Sequence, residues 1–167
     1  EQNKENLKKL SDYDAIIVPG GFGSTGVEGK IDAIKYVREQ KIPFLGLCYG
    51  LQMAVVEHAR NVIGLKKANS TEIDPKTKHP VVDILPEQKN IIATENYGAT
   101  MRLGEYPAFL NKNSQVSRLY GDKKKIFERH RHRYEVNPKY LAKLEKKELV
   151  FSGMSPDSRL VEFLERT

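Results

Sequence analysis

IPFLGLCYGLQMAVVEHAR, residues 42–60, is the stretch that decides the fold class. Residues 42–47 are nearly all apolar and carry Pro43, which reads as a short buried strand. From Leu51 onward apolar residues recur at helical spacing (Leu51, Ala54, Val55, Ala59, Val62), so the strand feeds directly into a helix. Cys48 sits in the turn between them. The pattern Gly46-Leu47-Cys48-Tyr49-Gly50 has the spacing of a nucleophile elbow, with cysteine in the place serine takes in hydrolases. The chemistry accounts for the glycines: a sharp strand-to-helix turn closes, and admits a substrate, only where neighbouring residues lack Cβ. A sulfur presented at a helix N-terminus meets a dipole and orphan amides that favour the thiolate, the attacking species. The amide of Tyr49 then points to where an oxyanion forms. A lone cysteine elsewhere would be read as core packing; the flanking glycines turn the reading toward a nucleophile.

Working outward, Tyr13–Val18 is a predicted strand that stops at Pro19. The loop that follows, GGFGSTG (residues 20–26), has four glycines in seven residues. It matches neither a dinucleotide fingerprint nor a P-loop. It reads as a loop whose amides face the elbow and complete an oxyanion hole; the plainer alternative is a flexible turn. Residues 28–40 carry Ile31, Ala33, Ile34 and Val37 on one face of an amphipathic helix. Strand, helix and strand in this order form a βαβ unit with a parallel pairing and right-handed crossover. Ligands gather at the carboxyl ends of such strands, where the glycine loop and Cys48 both lie.

Further along, residues 66–75 are turn-rich, 80–86 a short strand, 87–98 a loop and 100–104 a strand around Arg102. Residues 116–120 are weakly amphipathic and 122–125 a charged turn. The densest charge run is ERHRHRYEV, residues 128–136. Strand alternation would put His130, His132 and Tyr134 on one face and Arg129, Arg131 and Arg133 on the other. Two histidines at this spacing without carboxylate or cysteine support make a poor metal site, and a single basic run without interleaved aromatics a poor nucleic-acid site. Contacts to an anionic small molecule and a solvated edge are the readings left. Asn137-Pro138 starts a helix through Lys147. Residues 149–153 and 160–164 are strands joined by Ser155-Pro156-Asp157-Ser158.

With 167 residues, one domain able to bury a core without disulfides is expected. A single cysteine suits a reducing compartment. No apolar run is long enough to span a bilayer and the start of the chain lacks a signal peptide's apolar region, so a cytoplasmic protein without membrane contact is expected. Net charge is +6, from 28 Lys and Arg against 22 Asp and Glu. The charge is mostly interspersed on exposed helix faces, and no nucleic-acid partner is expected.

The stretches GGFG, GLCYGLQ, ANSTE, TMRLG and ERHRHRYEVN together resemble the glutaminase domain of the CTP synthases, which are class I, triad-type glutamine amidotransferases. The likeness covers most of residues 15–137. It implies a flavodoxin-like α/β fold: a mostly parallel open sheet flanked by helices, here a partial amidotransferase domain (residues 1–167) cut short at both ends. It implies that Cys48 attacks the glutamine side-chain amide, releases ammonia and leaves a γ-glutamyl thioester for water to hydrolyse. The amides of Gly21 and Tyr49 match the oxyanion hole. Gly50, Leu51, Gln52, Glu72 and Arg133 match substrate-binding positions, Glu72 suiting an α-ammonium and Arg133 an α-carboxylate. No metal and no cofactor is implied for these residues. ATP, Mg²⁺ and UTP belong to a separate synthetase domain, with GTP as activator and a homo-oligomer, a tetramer, in the whole enzyme. Arg102, Arg129 and Arg131 are candidates for communicating with GTP, without individual roles. The family's catalytic histidine and glutamate would follow Glu165 in a QFHPE-type motif, so this stretch alone is expected to be weakly active or inactive. The competing readings are a silent regulatory or assembly domain, and another cysteine amidase or peptidase on the same fold.

Overall fold

The computed structural model describes residues 2–85 and 101–166. The chain divides into two compact units, Glu1–Val81 and Val82–Thr167. The loop expected over 87–98 and the first residue of the strand expected at 100–104 lie outside the described residues.

The first unit opens with helix α1 (Gln2–Lys8) and a 3₁₀ turn (Lys9–Asp12). Strand β1 (Ile16–Val18) pairs in parallel with β2 (Phe44–Gly46), Ile16 opposite Phe44 and Val18 opposite Gly46. Helix α2 (Val27–Gln40) makes the crossover. It buries Ile31, Ile34 and Val37 of the predicted stripe together with Val27, while Ala33 is only half-buried. It ends where Lys41 turns left-handed, at φ 57°. Helix α3 (Tyr49–Asn61) buries Tyr49, Met53, Val55, Val56 and Ala59. Each such aliphatic side chain taken from water contributes about 1.5–3 kcal/mol before the entropy of ordering is counted. The two helices share a buried ion pair. Arg38 Nε donates to Glu57 Oε1 and Oε2 at 3.0 and 3.1 Å, and Nη2 donates to Oε1 at 2.8 Å. A buried carboxylate is tolerable only with such a partner, so the pair sets how α2 and α3 register. Strand β3 (Asn69–Ser70) is joined to the approach to strand β4 (Pro80–Ile84) by the Asn69 amide donating to the His79 carbonyl at 3.1 Å.

The second unit is antiparallel. Strand β5 (Arg102–Leu110) lies between β6 (Lys125–His132) and β8 (Leu149–Met154), and β9 (Val161–Arg166) flanks β8, giving the order β6-β5-β8-β9. The end of β4 pairs with β7 (Tyr134–Val136), Val82 opposite Val136 and Ile84 opposite Tyr134. Helix α4 (Gln115–Leu119) is capped by Ser114, whose side chain accepts from the Ser117 amide at 3.0 Å. Glu165 of β9 accepts from the Gln115 and Val116 amides at 3.0 and 2.6 Å. Ala108, Leu110, Val116 and Ile126 form the core here, with Tyr120 and Phe163 packed on it.

The α/β class holds, but the expectation of a mostly parallel sheet narrows: β1 and β2 pair in parallel, whereas β4–β7, β5–β6, β5–β8 and β8–β9 pair antiparallel. The physical reason is connectivity. The α2 crossover returns the chain for the parallel β1–β2 pair, whereas β8 and β9 join through a short turn that only antiparallel strands can use. The helix predicted over 138–147 is shorter, a 3₁₀ turn (Pro138–Tyr140) and α5 (Leu141–Leu144). Its start is as predicted, with the Asn137 side chain accepting from the Lys139 amide at 3.1 Å.

Candidate active site

Cys48 stands at the N-cap of α3 with φ 53° and ψ −104°, a backbone conformation that L-residues avoid. Strain of this kind persists only where surrounding structure over-determines it. Three hydrogen bonds do so: Leu47 N to Val18 O at 2.9 Å, Gly50 N to Leu47 O at 2.8 Å and Gln52 N to Cys48 O at 3.1 Å. The glycines of the elbow are there for space. A Cβ on Gly46 would meet the Gly50 carbonyl carbon at 2.7 Å, and one on Gly50 would meet the Val18 carbonyl oxygen at 2.1 Å. Strand end, turn and helix start are thus pressed together to a separation no side chain allows.

The glycine loop lies against the elbow. A Cβ on Gly20 would stand 3.6 Å from Cys48 Cβ and 4.0 Å from its Sγ, and one on Gly21 would stand 3.7 Å from Tyr49 Cδ1. The loop is also fastened. Gly23 donates its amide to Glu72 Oε1 at 2.8 Å, while the Tyr49 hydroxyl donates to the Gly23 carbonyl at 2.5 Å. Burial pushes the Tyr49 phenol above its ordinary value, and the nearby Glu72 carboxylate adds to the rise. The phenol therefore keeps its proton and can donate. Lys30 Nζ donates to the Thr25 carbonyl at 2.9 Å and lies 5.9 Å from the centre of the Tyr49 ring.

The structure therefore brings together Gly21, Cys48, Tyr49 and Glu72 of the residues singled out in sequence, with Gly50, Leu51 and the buried Gln52 in the first turn of α3. Cys48 is partly exposed. Two participants were not foreseen. Gly23 is the point of attachment, and the Tyr49 side chain is the fastener, where the sequence reading used only its amide. The bulk of a tyrosine between the nucleophile and Gly50 was the available signal.

Arg133 belongs to the second unit, between β6 and β7. The basic run therefore does not form one strand: it is divided at Arg133 between two pairings, β6 with β5 and β7 with β4. Arg129 and Arg131 face outward as alternation predicts. The two histidines take neither of the roles expected of them, as they turn inward to carboxylates. His130 Nε2 lies 2.6 Å from Glu162 Oε2 and its Nδ1 lies 2.9 Å from the Glu128 carbonyl oxygen. His132 Nδ1 is 3.5 Å from Glu135 Oε1. Arg102 donates to Glu135 Oε1 at 2.9 Å and to Glu162 Oε1 at 2.6 Å, and stacks over Tyr106 with its guanidinium carbon 4.6 Å from the ring centre. Burial works against Arg102's charge, but the two carboxylates outweigh it and raise the guanidinium above its ordinary value. Burial likewise opposes ionisation of Glu162, and the His130 hydrogen bond and Arg102 charge overcome it, holding this carboxyl below its usual range. Arg102 is thus a buried anchor for two strands. Among the described residues no group of three or more acidic, histidine or cysteine side chains is arranged to hold a metal ion, and no helix is long and apolar enough to cross a membrane.

A strained cysteine at a strand-to-helix turn thus lies beside a glycine loop on an α/β fold. The family described as glutamine amidotransferase class-I matches residues 1–167, and the chain belongs to that family. Within it, the likeness is to CTP synthases. The chain is 58% identical over 165 residues to the CTP synthase of Methanocaldococcus jannaschii and 57% identical over 163 residues to that of Pyrococcus horikoshii. These alignments cover 99% and 97% of this chain but 30% of each relative, so the chain spans about three tenths of their length. Among solved structures, the glutaminase domain of Trypanosoma brucei CTPS with bound acivicin matches with a TM-score of 0.89 at 39% identity, over 98% of this chain and 62% of that one.

Proposed function

We propose that these residues carry out the glutaminase half of a CTP synthase reaction. The Cys48 thiolate attacks the γ-carbonyl carbon of glutamine, the amide nitrogen leaves as ammonia with a proton, and water then splits the γ-glutamyl thioester to glutamate. The amides of Gly21 and Tyr49 are assigned to the oxyanion. Tyr49 N–H is one of the first amides of α3, which have no partner within their own helix. Glu72, with two acceptor oxygens, is assigned to the α-ammonium group. The ammonia would be consumed by a synthetase portion of the whole protein, where ATP activates UTP for amination to CTP; ATP, UTP and Mg²⁺ would be bound there, with GTP as activator of the glutaminase step. We assign the whole protein to a homo-oligomer on the same likeness.

The observation that carries this reading is the backbone of Cys48, held at φ 53° on the end of α3 between two glycines that cannot take a side chain. Its test is intact mass after exposure to a glutamine-like chloroketone. Labelling is expected at one site, suppressed by excess glutamine and absent in Cys48→Ser. Labelling that glutamine does not suppress would show a reactive thiol without an amino-acid pocket, and the reading would fail.

A further inference from the structure

Gly23 is gripped on both sides. Its N–H is taken by Glu72 and its C=O by the Tyr49 hydroxyl, at 2.8 and 2.5 Å. The loop needs such a grip: it belongs to no helix or strand, and Gly23 and Gly26 stand at φ +74° and +67°, so little in the backbone restrains it. The residue that supplies the grip is itself rigid, since Tyr49 is 2% exposed and begins α3 immediately after the nucleophile.

From this we infer that Tyr49 is a positioning residue for acyl transfer at Cys48: its phenol fixes the glycine loop so that the amides of Gly21 and Tyr49 converge on one oxygen. The inference rests on the glutaminase reading above. One side chain thereby ties the two halves of the oxyanion site together. The ring spaces the loop at Gly21, the hydroxyl holds it at Gly23, and the backbone amide of the same residue supplies the other half. Preorganisation of this kind acts on the transition state, where negative charge develops on the carbonyl oxygen, more than on the bound substrate. The expected signature is a loss in the acylation rate constant with little change in apparent affinity.

The test compares wild-type and Tyr49→Phe whole protein with two reagents. The first is the γ-p-nitrophenyl ester of glutamate. Thiolate attack forms the C–S bond and breaks the C–O bond, and nitrophenolate leaves with the electron pair, needing no proton donor. Release is followed as a burst, with Cys48→Ala supplying the uncatalysed background. The second is iodoacetamide, which alkylates sulfur at a saturated carbon and develops no oxyanion. Removing the hydroxyl is expected to slow acylation roughly 10- to 100-fold, with the half-saturating ester concentration and the alkylation rate each within about twofold. An unchanged acylation rate would overturn the inference. So would equal slowing with both reagents, which would place the effect on the thiolate, and so would faster alkylation, which would report a loosened elbow. If the wild-type protein alkylates at Cys48 but gives no burst, the glutaminase reading itself falls and takes this inference with it.

Discussion

Gly50→Ala is expected to destabilise the protein by roughly 4 kcal/mol or more, a class of effect confined to a few named mechanisms. Here the mechanism is steric. The new Cβ would be placed 2.1 Å from the Val18 carbonyl oxygen and 3.1 Å from the Val18 Cβ. Neither contact is with a flexible side-chain tip. The oxygen accepts the Leu47 amide at 2.9 Å, so β1 cannot retreat without undoing the bond that seats the elbow. At about 2–4 °C per kcal/mol for a chain of this size, the melting temperature should fall by roughly 8–16 °C. The contrast is Gly29→Ala, in the exposed face of α2 with nothing within 4 Å of the added carbon. That change should stabilise by about 0.5–1 kcal/mol through helix propensity. Parallel melts of the two variants decide the matter. Equal, small shifts would mean that the elbow is not held by this contact.

The second large effect is expected at Glu162, whose side chain is 2% exposed and bridges Arg102 and His130. Breaking a buried pair by neutralising one member leaves a cation without its partner, and the cost is about 3–5 kcal/mol. Glu162→Gln, which keeps an acceptor and leaves Arg102 paired with Glu135, should sit near the lower end, at about 3 kcal/mol by urea denaturation at neutral pH. The pH dependence has a definite sign. Because the folded protein holds this carboxyl below its ordinary 4.5, its contribution is complete above that value and is lost as pH falls through the lowered one. The stability gap between wild type and Glu162→Gln should therefore close on the acid side of 4.5. A gap that stayed constant down to the acid transition would refute the assignment. The exposed pair Arg166–Glu148, 2.8 Å apart with side chains 37% and 61% exposed, is the control. Removing it should change stability by less than about 1 kcal/mol.

The elbow was legible in sequence because its requirements are local: five consecutive residues carry the steric need for glycine and the nucleophile together. The stripe of α2 was legible for the same reason, since 3.6-residue periodicity needs only one face to be apolar. Strand β5 was read only to Gly104, because Pro107 and two charged or polar positions interrupt the alternation that marks a strand. The structure shows Pro107 opposite Phe127 within the β5-β6 ladder. The histidine run was misread for a different reason. Alternation correctly separates His130 and His132 from Arg129 and Arg131, but it does not say which face looks inward. That depends on Glu162, 32 residues beyond His130 and visible as a partner only once β9 is in place. The phenol of Tyr49 was likewise beyond periodicity, because its acceptor sits on a loop without a repeating pattern.

The distances along the chain in the second unit carry a consequence for how it is made. Arg102 is bonded to a carboxylate 60 residues later, and the first amides of α4 to one 49 and 50 residues later. Both acceptors, Glu162 and Glu165, are on β9. A chain emerging from N- to C-terminus can form β1-α2-β2 and the elbow from neighbouring segments early. In the second unit it must carry His130 and one side of Arg102 without Glu162, and α4 without its acidic cap, until β9 arrives. Contacts of such long sequence separation form slowly, and incompletely paired strands are where chains associate wrongly. The strand-helix-strand unit that carries Cys48 can thus form from neighbouring segments, whereas the charge lock of the second unit waits for β9.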